Sequence, residues 1–333
     1  LRGLRARAGD AAIVHYWGFS RLEERLRTWP GPLAVHYHNI TPPAFFAPGS
    51  AHDEMTRRGR AQLARLADRF DLVIGDSNHN LEELARWRTR PVPGLCLYPV
   101  VDRAALLSAP CHPHAVDDLA GGDGPLWLFV GRLAPNKRQD DVIRAFDRFV
   151  QLTGGGRLAL VGDAGSVPGY ADQLRQLATA LPSGARIRIT GSVDQATLGA
   201  WYRAADVFVC ASRHEGFCVP LAEAMAFGVP IVALDRCAVG ETVGAAGVLV
   251  REWDANTVAS RVAGLLASAA QRQALARAAT RRLEAFSPAA ARDRLAAAVA
   301  FLRDRTPSPH FITLESPQVA APEIDTVWAP STI

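Results

Sequence analysis

The sequence is poor in several residue types and motifs, and each shortage argues against a class of protein. Its 333 residues include five cysteines, an odd number without Cys-x-x-Cys spacing, which argues against a disulfide framework and a zinc site. No run of about 18 apolar residues is present, so we expect no transmembrane helix. Neither an Asp-x-Asp pair for a divalent metal nor the Gly-x-Gly-x-x-Gly motif of nucleotide-cofactor oxidoreductases occurs. These absences predict a cytoplasmic protein that uses neither a metal nor a cofactor.

Lysine is almost absent. Of the 37 basic residues only Lys137 is a lysine, and all the others are arginines. A lone ammonium in an arginine-rich chain indicates a position that needs a compact point charge. The formal net charge of +4 is too small to predict nucleic-acid binding, but a basic first domain would suit peripheral contact with the inner face of an anionic membrane.

Strands and helices alternate along most of the chain. Four strands are predicted in the first part, at residues 11–17, 33–37, 71–75 and 95–98. Six more follow, at residues 126–130, 157–161, 186–190, 207–211, 231–234 and 247–250. This alternation predicts parallel sheets with helices on both faces, and at about 100–200 residues per domain the length predicts two domains. We therefore expect an α/β protein whose two doubly wound, Rossmann-like domains face each other across a cleft.

A stretch rich in proline and glycine over residues 99–124 marks the boundary between the domains. Residues 1–102 form the first domain, which we expect to be truncated at its N-terminus. The rest of the chain is predicted to hold a second domain (103–290) with one long helix over 255–285, a last helix (291–305) that crosses back to the first domain, and a flexible proline-rich tail (306–333).

Loops that leave strands are the candidate sites, because ligands in such folds bind beyond the carboxyl ends of the strands. Residues 131–138 follow a predicted strand and bring Arg132 and Lys137 to the start of the next helix. A guanidinium, an ammonium and the N–H groups of a helix end together suit a diphosphate. A solvated basic turn is the alternative interpretation.

The loop after the strand at 207–211 carries a Glu-x7-Glu pair. Glu215 lies on this loop, Pro220 begins a helix, and Glu223 is predicted to fall in the first turn of that helix. Carboxylates at such a place can accept hydrogen bonds from sugar or ribose hydroxyls, while the free N–H groups of the helix start hold a phosphate. For Glu223, stabilisation of the helix dipole is the alternative interpretation.

Two histidines lie at the end of the strand at 33–37. Because His36 and His38 alternate along the chain, we expect only one of them to face the cleft, and we favour His38, which is nearer the strand exit. A lone histidine is more often structural than catalytic.

Taken together, the three loops resemble the retaining nucleotide-sugar glycosyltransferases of the GT-B fold, family 4 (glycosyl transferases group 1). The resemblance rests on residues 129–137, 189–209 and 215–230, in this order and each at a strand exit. It implies that Arg132 and Lys137 bind the diphosphate, that Glu215 holds the donor sugar, and that Glu223 holds the ribose. It also implies that His38 contacts the sugar near its reacting face. The remaining donor-binding residues that it implies are Gly131, Gly191, Val193, Gly216, Phe217, Cys218 and Val219.

The sequence departs from this family at two places. Cys218 stands where glycine is common, and the family's first strand and glycine-rich loop have no counterpart before the strand at 11–17. The resemblance otherwise implies transfer of a sugar from a UDP- or GDP-sugar to a saccharide, lipid-linked or small-molecule acceptor, with retention of configuration. The nucleotide sugar is then a co-substrate, and no metal or cofactor is needed. A non-catalytic nucleotide-sugar-binding relic with an eroded acceptor domain is the alternative.

Overall fold

The structure, a computed structural model, describes residues 6–112 and 123–315. The chain divides into two compact units. One unit runs to Pro99 and includes the chain from Ala289 onward, and the other holds Val100–Pro288. Each unit is built around its own sheet.

The elements follow one another in chain order. The first are β1 (Ala12–Tyr16), α1 (Glu23–Arg27), β2 (Leu33–Tyr37), α2 (Ala51–Leu66), β3 (Leu72–Gly75), α3 (Asn78–Ala85), β4 (Val92–Cys96) and α4 (Arg103–Ser108). Next come β5 (Leu126–Val130), α5 (Gln139–Thr153), β6 (Arg157–Val161), α6 (Tyr170–Ala180), β7 (Ile187–Gly191), α7 (Gln195–Ala204), β8 (Val207–Cys210) and α8 (Val219–Phe227). The last are β9 (Ile231–Leu234), α9 (Val239–Val243), β10 (Gly247–Val250), α10 (Ala255–Ala267), α11 (Ala269–Glu284), α12 (Pro288–Asp304) and β11 (Phe311–Leu314).

In the sheet of the first unit, each successive strand lies next to the preceding one and on the same side of it. Its strand order is β1-β2-β3-β4-β11, with β1 to β4 parallel and β11 antiparallel to β4. Since crossovers are right-handed, this order brings α1, α2 and α3 to the same face, where their leucines share one core with β2 and β3. The other face is covered by α12, whose Ala298 and Leu302 pack against Leu72 and Ile74.

The prediction of a flexible tail over residues 306–333 is wrong where β11 forms. Leu314 is buried over Gly94 of β4, where a Cβ would lie only 2.6 Å from the leucine side chain. The missing side chain therefore makes room for this edge strand, and no pattern within the tail itself signals the pairing. Residues 316–333 lie outside the described residues.

Two other differences have local causes. The long helix predicted over 255–285 is two helices, because the Ser268 side chain accepts a hydrogen bond from the N–H of Gln271 and begins α11. The fourth strand begins at Val92 rather than at residue 95, and it contains Pro93, a residue that argues against a strand when the sequence is read alone. No helix among the described residues is long and apolar enough to cross a membrane.

The sheet of the second unit has a topological switch point. Its six parallel strands run in the order β10-β9-β8-β5-β6-β7, so the winding direction reverses between β5 and β8. The connections that leave β5 and β8 diverge to opposite faces of the sheet, which opens a crevice at the carboxyl ends of these two strands. The residues after β5 and after β8 are the two loops that the sequence singles out.

Candidate functional site

Direct hydrogen bonds join the loops that follow β5 and β8. The N–H of Arg213 donates to the carbonyl of Asn136 at 2.8 Å, and the Asn136 side chain donates back to the carbonyl of His214 at 3.2 Å. Asn136 is buried, and both bonds use main-chain atoms of the opposite loop. The two loops therefore form one layer at the switch point.

Lys137 and Glu215 meet in this layer as a buried ion pair. The Lys137 Nζ lies 2.6 Å from Oε1 and 2.7 Å from Oε2 of Glu215, and the two side chains are 17% and 7% exposed. Burial by itself would lower the pKa of Lys137 and raise that of Glu215, but the attraction between them outweighs it. The pKa of Lys137 lies above its ordinary value and that of Glu215 below it. Both groups are thus charged at neutral pH.

The other two cations of the first loop differ in their partners. Arg138 has a left-handed backbone (φ 52°) and pairs with both Asp140 and Asp141 in the first turn of α5. Arg132 makes no side-chain hydrogen bond or ion pair with the residues that the structure describes. The start of α5 therefore already carries its own carboxylates, whereas the Arg132 guanidinium has no such partner among the described residues.

The start of α8 is shaped as an anion site. Cys218 precedes the helix in the left-handed conformation (φ 73°), no side chain caps the helix, and its first turn carries no acid. Within the described chain, the N–H groups of Gly216 and Cys218 donate no hydrogen bond. Phe217 packs edge-on against Phe286, and Val219 is exposed. Unused N–H groups at a helix start favour a negatively charged ligand.

Glu223 lies one residue further along α8 than the sequence predicts. The helix begins at Val219, one residue before the proline, so Glu223 is its fifth residue and lies beyond the first turn. This position removes the dipole interpretation, because the effect fades after the first turn. The Tyr202 hydroxyl donates to Glu223 at 2.8 Å. Burial raises the pKa of Glu223, which the bond from Tyr202 only partly offsets.

Gly191 is the last residue of β7 and Val193 follows it; β7 is two strands away from β5 in the sheet. Gly191 has a left-handed backbone, and its carbonyl accepts a hydrogen bond from the N–H of Gly162. Gly162 in turn packs against the carbonyl of Gly131. The ends of β5, β6 and β7 are therefore connected through glycine main chains.

We expect Gly162→Ala to displace the loop that follows β5. A Cβ at this position would lie 2.2 Å from the Gly131 carbonyl oxygen, with φ at 143°, so residues 131–138 must shift. The free energy of unfolding should fall by about 2–3 kcal/mol. Gly169→Ala is the matched control: its φ is also positive but no atom lies within 4 Å of the new Cβ, so it should cost only about 1 kcal/mol. If denaturant unfolding shows the same loss of unfolding free energy for both variants, the contact between residue 162 and the Gly131 carbonyl is not the cause.

His38 lies in the first unit, within a cluster of histidines. The expectation that only one of His36 and His38 can face the site is wrong, because both bond Asp76, His36 through Nε2 at 2.8 Å and His38 through Nδ1 at 2.9 Å. Residues two apart on a strand share a face. His15, on the adjacent strand β1, lies 2.7 Å from His38.

Sequence reasoning missed several members of these two clusters: His15, Asp76, Asn136 and Tyr202. Asp76 had a usable signal, since it directly follows β3 as the candidate loops follow their strands. His15 and Tyr202 had none, because they lie within regular elements. Their part in the clusters depends on which strands and helices are neighbours.

Two clusters could supply metal ligands among the described residues. The ligand atoms of His15, His36 and His38 lie within 4.8 Å of one another, and so do those of Cys210, Glu215 and Cys218. In the second cluster the Lys137 ammonium opposes a cation. The hydrogen bond between Cys218 and Cys210, together with burial, raises the pKa of Cys218, which disfavours the thiolate.

Comparison with solved structures concerns the fold. A sucrose-phosphate synthase from Thermosynechococcus elongatus superposes with a TM-score of 0.72 at 22% identity, over 89% of this chain and 74% of that one. HepE of Anabaena, in complex with UDP-glucose, gives a TM-score of 0.65 at 21% identity, over 81% and 72%. The GT-B fold expected from the sequence is thereby confirmed.

Comparison of sequences identifies the family. Residues 117–282 match the family model described as Glycosyl transferases group 1. D-inositol 3-phosphate glycosyltransferase 2 of Catenulispora acidiphila is 31% identical over 77% of this chain, which spans 62% of that relative's length. D-inositol 3-phosphate glycosyltransferase of Thermomonospora curvata is 34% identical over 86% of this chain, which spans 70% of its length. Matches of this extent mean that the chain belongs to the glycosyl transferases group 1 family.

Proposed function

We propose that the protein transfers a sugar from a nucleotide-sugar donor to a hydroxyl group of a saccharide, lipid-linked or small-molecule acceptor. The observation that carries the proposal is the buried Lys137–Glu215 pair beside the uncapped start of α8. A site with a cation, a carboxylate and open N–H groups, at a topological switch point, is suited to a ligand that has both a diphosphate and hydroxyls.

Each side chain has a role in this proposal. Arg132, Lys137 and the start of α8 stabilise the charge that develops on the departing diphosphate. Glu215 uses the carboxylate lone pairs that Lys137 leaves open to accept bonds from the sugar hydroxyls. Glu223 accepts bonds from the ribose. A nucleoside diphosphate is a good leaving group, so neither glutamate has to protonate it, unlike the acid of a glycosidase.

The test is transfer itself. We would incubate the protein with UDP-glucose, other UDP-sugars or GDP-mannose together with candidate acceptors, and measure the nucleoside diphosphate released. D-inositol 3-phosphate belongs in the acceptor set, because the curated relatives are named for it. Release that depends on the acceptor supports the proposal. A protein that binds a nucleotide sugar in calorimetry, yet transfers nothing to any acceptor, fits the non-catalytic relic instead.

We expect transfer to continue in excess EDTA. The cations that face the diphosphate in the proposal belong to the protein, and the sequence lacks an Asp-x-Asp pair to hold a metal in their place. The initial rate should therefore stay within about twofold when EDTA replaces Mg²⁺, as expected if no metal supplies the stabilisation. A rate that collapses on chelation and returns with Mg²⁺ or Mn²⁺ would show that transfer depends on a metal.

Retention of configuration is the finer part of the proposal. In it, the departing phosphate takes the proton from the acceptor hydroxyl on the same face of the sugar. Proton NMR of the first product, recorded before the anomers equilibrate, reads the configuration directly. A product of opposite configuration to the donor would exclude this mechanism while leaving the transfer reaction intact.

A further inference from the structure

A chain of hydrogen-bonded side chains crosses three neighbouring strands at the carboxyl end of the first sheet. Asp76 follows β3, His38 follows β2, and His15 lies near the end of β1. Asp76 Oδ2 lies 2.9 Å from His38 Nδ1, and His38 Nε2 lies 2.7 Å from His15 Nδ1. His36 joins from the side, with its Nε2 2.8 Å from Asp76 Oδ1.

The direction of these bonds follows from the buried carboxylate. Burial raises the pKa of Asp76, but hydrogen bonds from His36 and His38 outweigh it and hold the pKa below its ordinary value. An ionised carboxylate only accepts, so His38 donates through Nδ1. With His38 as a neutral imidazole its Nε2 is an acceptor, and the 2.7 Å contact is then a hydrogen bond donated by Nδ1 of His15. The lone pair that remains in the chain is on Nε2 of His15.

Ring geometry supports a hydrogen bond rather than a shared metal between His15 and His38. Their planes lie within 6° of parallel, their centroids are 5.0 Å apart and the facing nitrogens 2.7 Å apart, so the rings lie end to end. In this arrangement Nδ1 of His15 and Nε2 of His38 point directly at each other. They therefore do not point towards a common metal ion. With Nε2 of His38 used in this way, His38 has no nitrogen left for a substrate.

His15 has both the access and the protonation state for that contact. It is exposed, and its Nε2 makes no hydrogen bond with the described residues. Burial, followed by the neighbouring His36 and His38, lowers the pKa of His15, and Asp76 only partly opposes them. The ring is therefore neutral at neutral pH and keeps its Nε2 lone pair.

We propose that His15, rather than His38, contacts the substrate, and that its Nε2 accepts a hydrogen bond from a sugar hydroxyl. His38 and Asp76 are positioning residues that hold His15 in the Nδ1–H tautomer. The inference rests on the proposed transfer reaction, because it takes the substrate to be a sugar. The hydroxyl belongs to the donor sugar or to the acceptor, and the chemistry at Nε2 is the same for both.

Two substitutions of His15 test the contact against a merely structural role. The amide of His15→Asn reaches only as far as Nδ1 and preserves the bond to His38, whereas the amide of His15→Gln reaches the place of Nε2. We expect kcat/KM to fall about tenfold or more in His15→Asn, and to fall clearly less in His15→Gln. The reverse order would mean that His15 only supports His38, and equal activity of both variants with the wild type would also overturn the proposal.

The kinetic parameters separate the two sources of the hydroxyl. If it belongs to the donor, His15→Asn slows the hydrolysis of the nucleotide sugar measured without acceptor. If it belongs to the acceptor, hydrolysis is unchanged and only transfer slows. Calorimetry with free nucleoside diphosphate should give the same affinity for both variants and the wild type. A wild type that neither binds that ligand nor transfers sugar would instead refute the proposed function.

Tautomers give a readout that does not depend on activity. Nitrogen-15 NMR of the imidazoles, assigned with single variants, should show the Nδ1–H tautomer for His15 and His38 and the Nε2–H tautomer for His36. In His38→Asn, which keeps the bond to Asp76 but loses the one to His15, the tautomer of His15 should become mixed. A His38 protonated at Nε2, or a His15 tautomer that the variant leaves unchanged, would refute the chain of bonds.

Discussion

Lys137→Met should abolish sugar transfer. The substitution removes the ammonium that faces the diphosphate in the proposed complex, and the loss of one such donor lowers kcat by about 10²–10³-fold. It also leaves the Glu215 carboxylate buried without its partner at 2.6 Å, which should lower the free energy of unfolding by about 3 kcal/mol. The measurements are the initial rate at saturating donor and the unfolding midpoint in urea.

The double variant Lys137→Met/Glu215→Gln separates these two effects. With neither charge buried alone, most of the lost stability should return, while transfer remains absent. Arg144→Ala is the control for ion-pair loss in the same region, because Arg144 pairs with Asp140 on α5 at 2.9 Å outside the site. It should transfer sugar at the wild-type rate. A double variant that regains activity would show that Lys137 serves the fold and not the reaction.

Glu215→Ala and Glu223→Ala should fail in different ways. A free nucleoside diphosphate has the ribose but not the sugar, so only Glu223→Ala should weaken its binding, by about 1.5–3 kcal/mol for hydrogen bonds to a charged group. Glu215→Ala should bind it as well as the wild type, because the diphosphate can neutralise Lys137 once that residue has lost its partner. It should instead lower kcat, since sugar contacts that strengthen as charge develops act on the transition state.

Calorimetry of both variants with the free nucleoside diphosphate decides between these roles. If only Glu215→Ala loses affinity, the two assignments are reversed, and if neither does, the pair lies outside the site. Tyr202→Phe is the matched control, since it removes the 2.8 Å bond to Glu223 and leaves the carboxylate in place. It should alter affinity much less than Glu223→Ala.

Stability against pH supplies an independent check on Glu223. Burial raises the pKa of this group in the folded state, so its protonated form favours folding and that stability is lost as pH rises through the folded pKa. Glu223→Gln should therefore unfold at a higher temperature than the wild type at pH 7, and the advantage should vanish in acid. A gain in stability with a loss of ligand affinity is the pattern expected of a binding residue.

The local sequence pattern was sufficient to predict most of the strands of the second unit. Most of its strands are apolar runs that are followed by glycine or polar residues, and such runs predict strands wherever the chain places them. The exception is β7, in which isoleucines alternate with Arg188 and Thr190. The residues at the ends of the strands could therefore be proposed as site residues, Lys137 and Glu215 among them. The single lysine was informative because its chemistry differs from that of arginine, whatever the fold.

Only the tertiary structure decided which of these residues are partners. Lys137 and Glu215 are 78 positions apart and meet because β5 and β8 are neighbours in the sheet. Asp76, His38 and His15 form one chain of bonds because β1, β2 and β3 lie side by side, and β11 forms because Gly94 leaves space for Leu314. Hydrophobic periodicity is a property of one segment, whereas strand order and close packing depend on several segments at once. The sequence alone therefore predicted most of the elements and the reactive residue types, whereas the assembled sheets decided which residues pair and how burial and pairing set their charges.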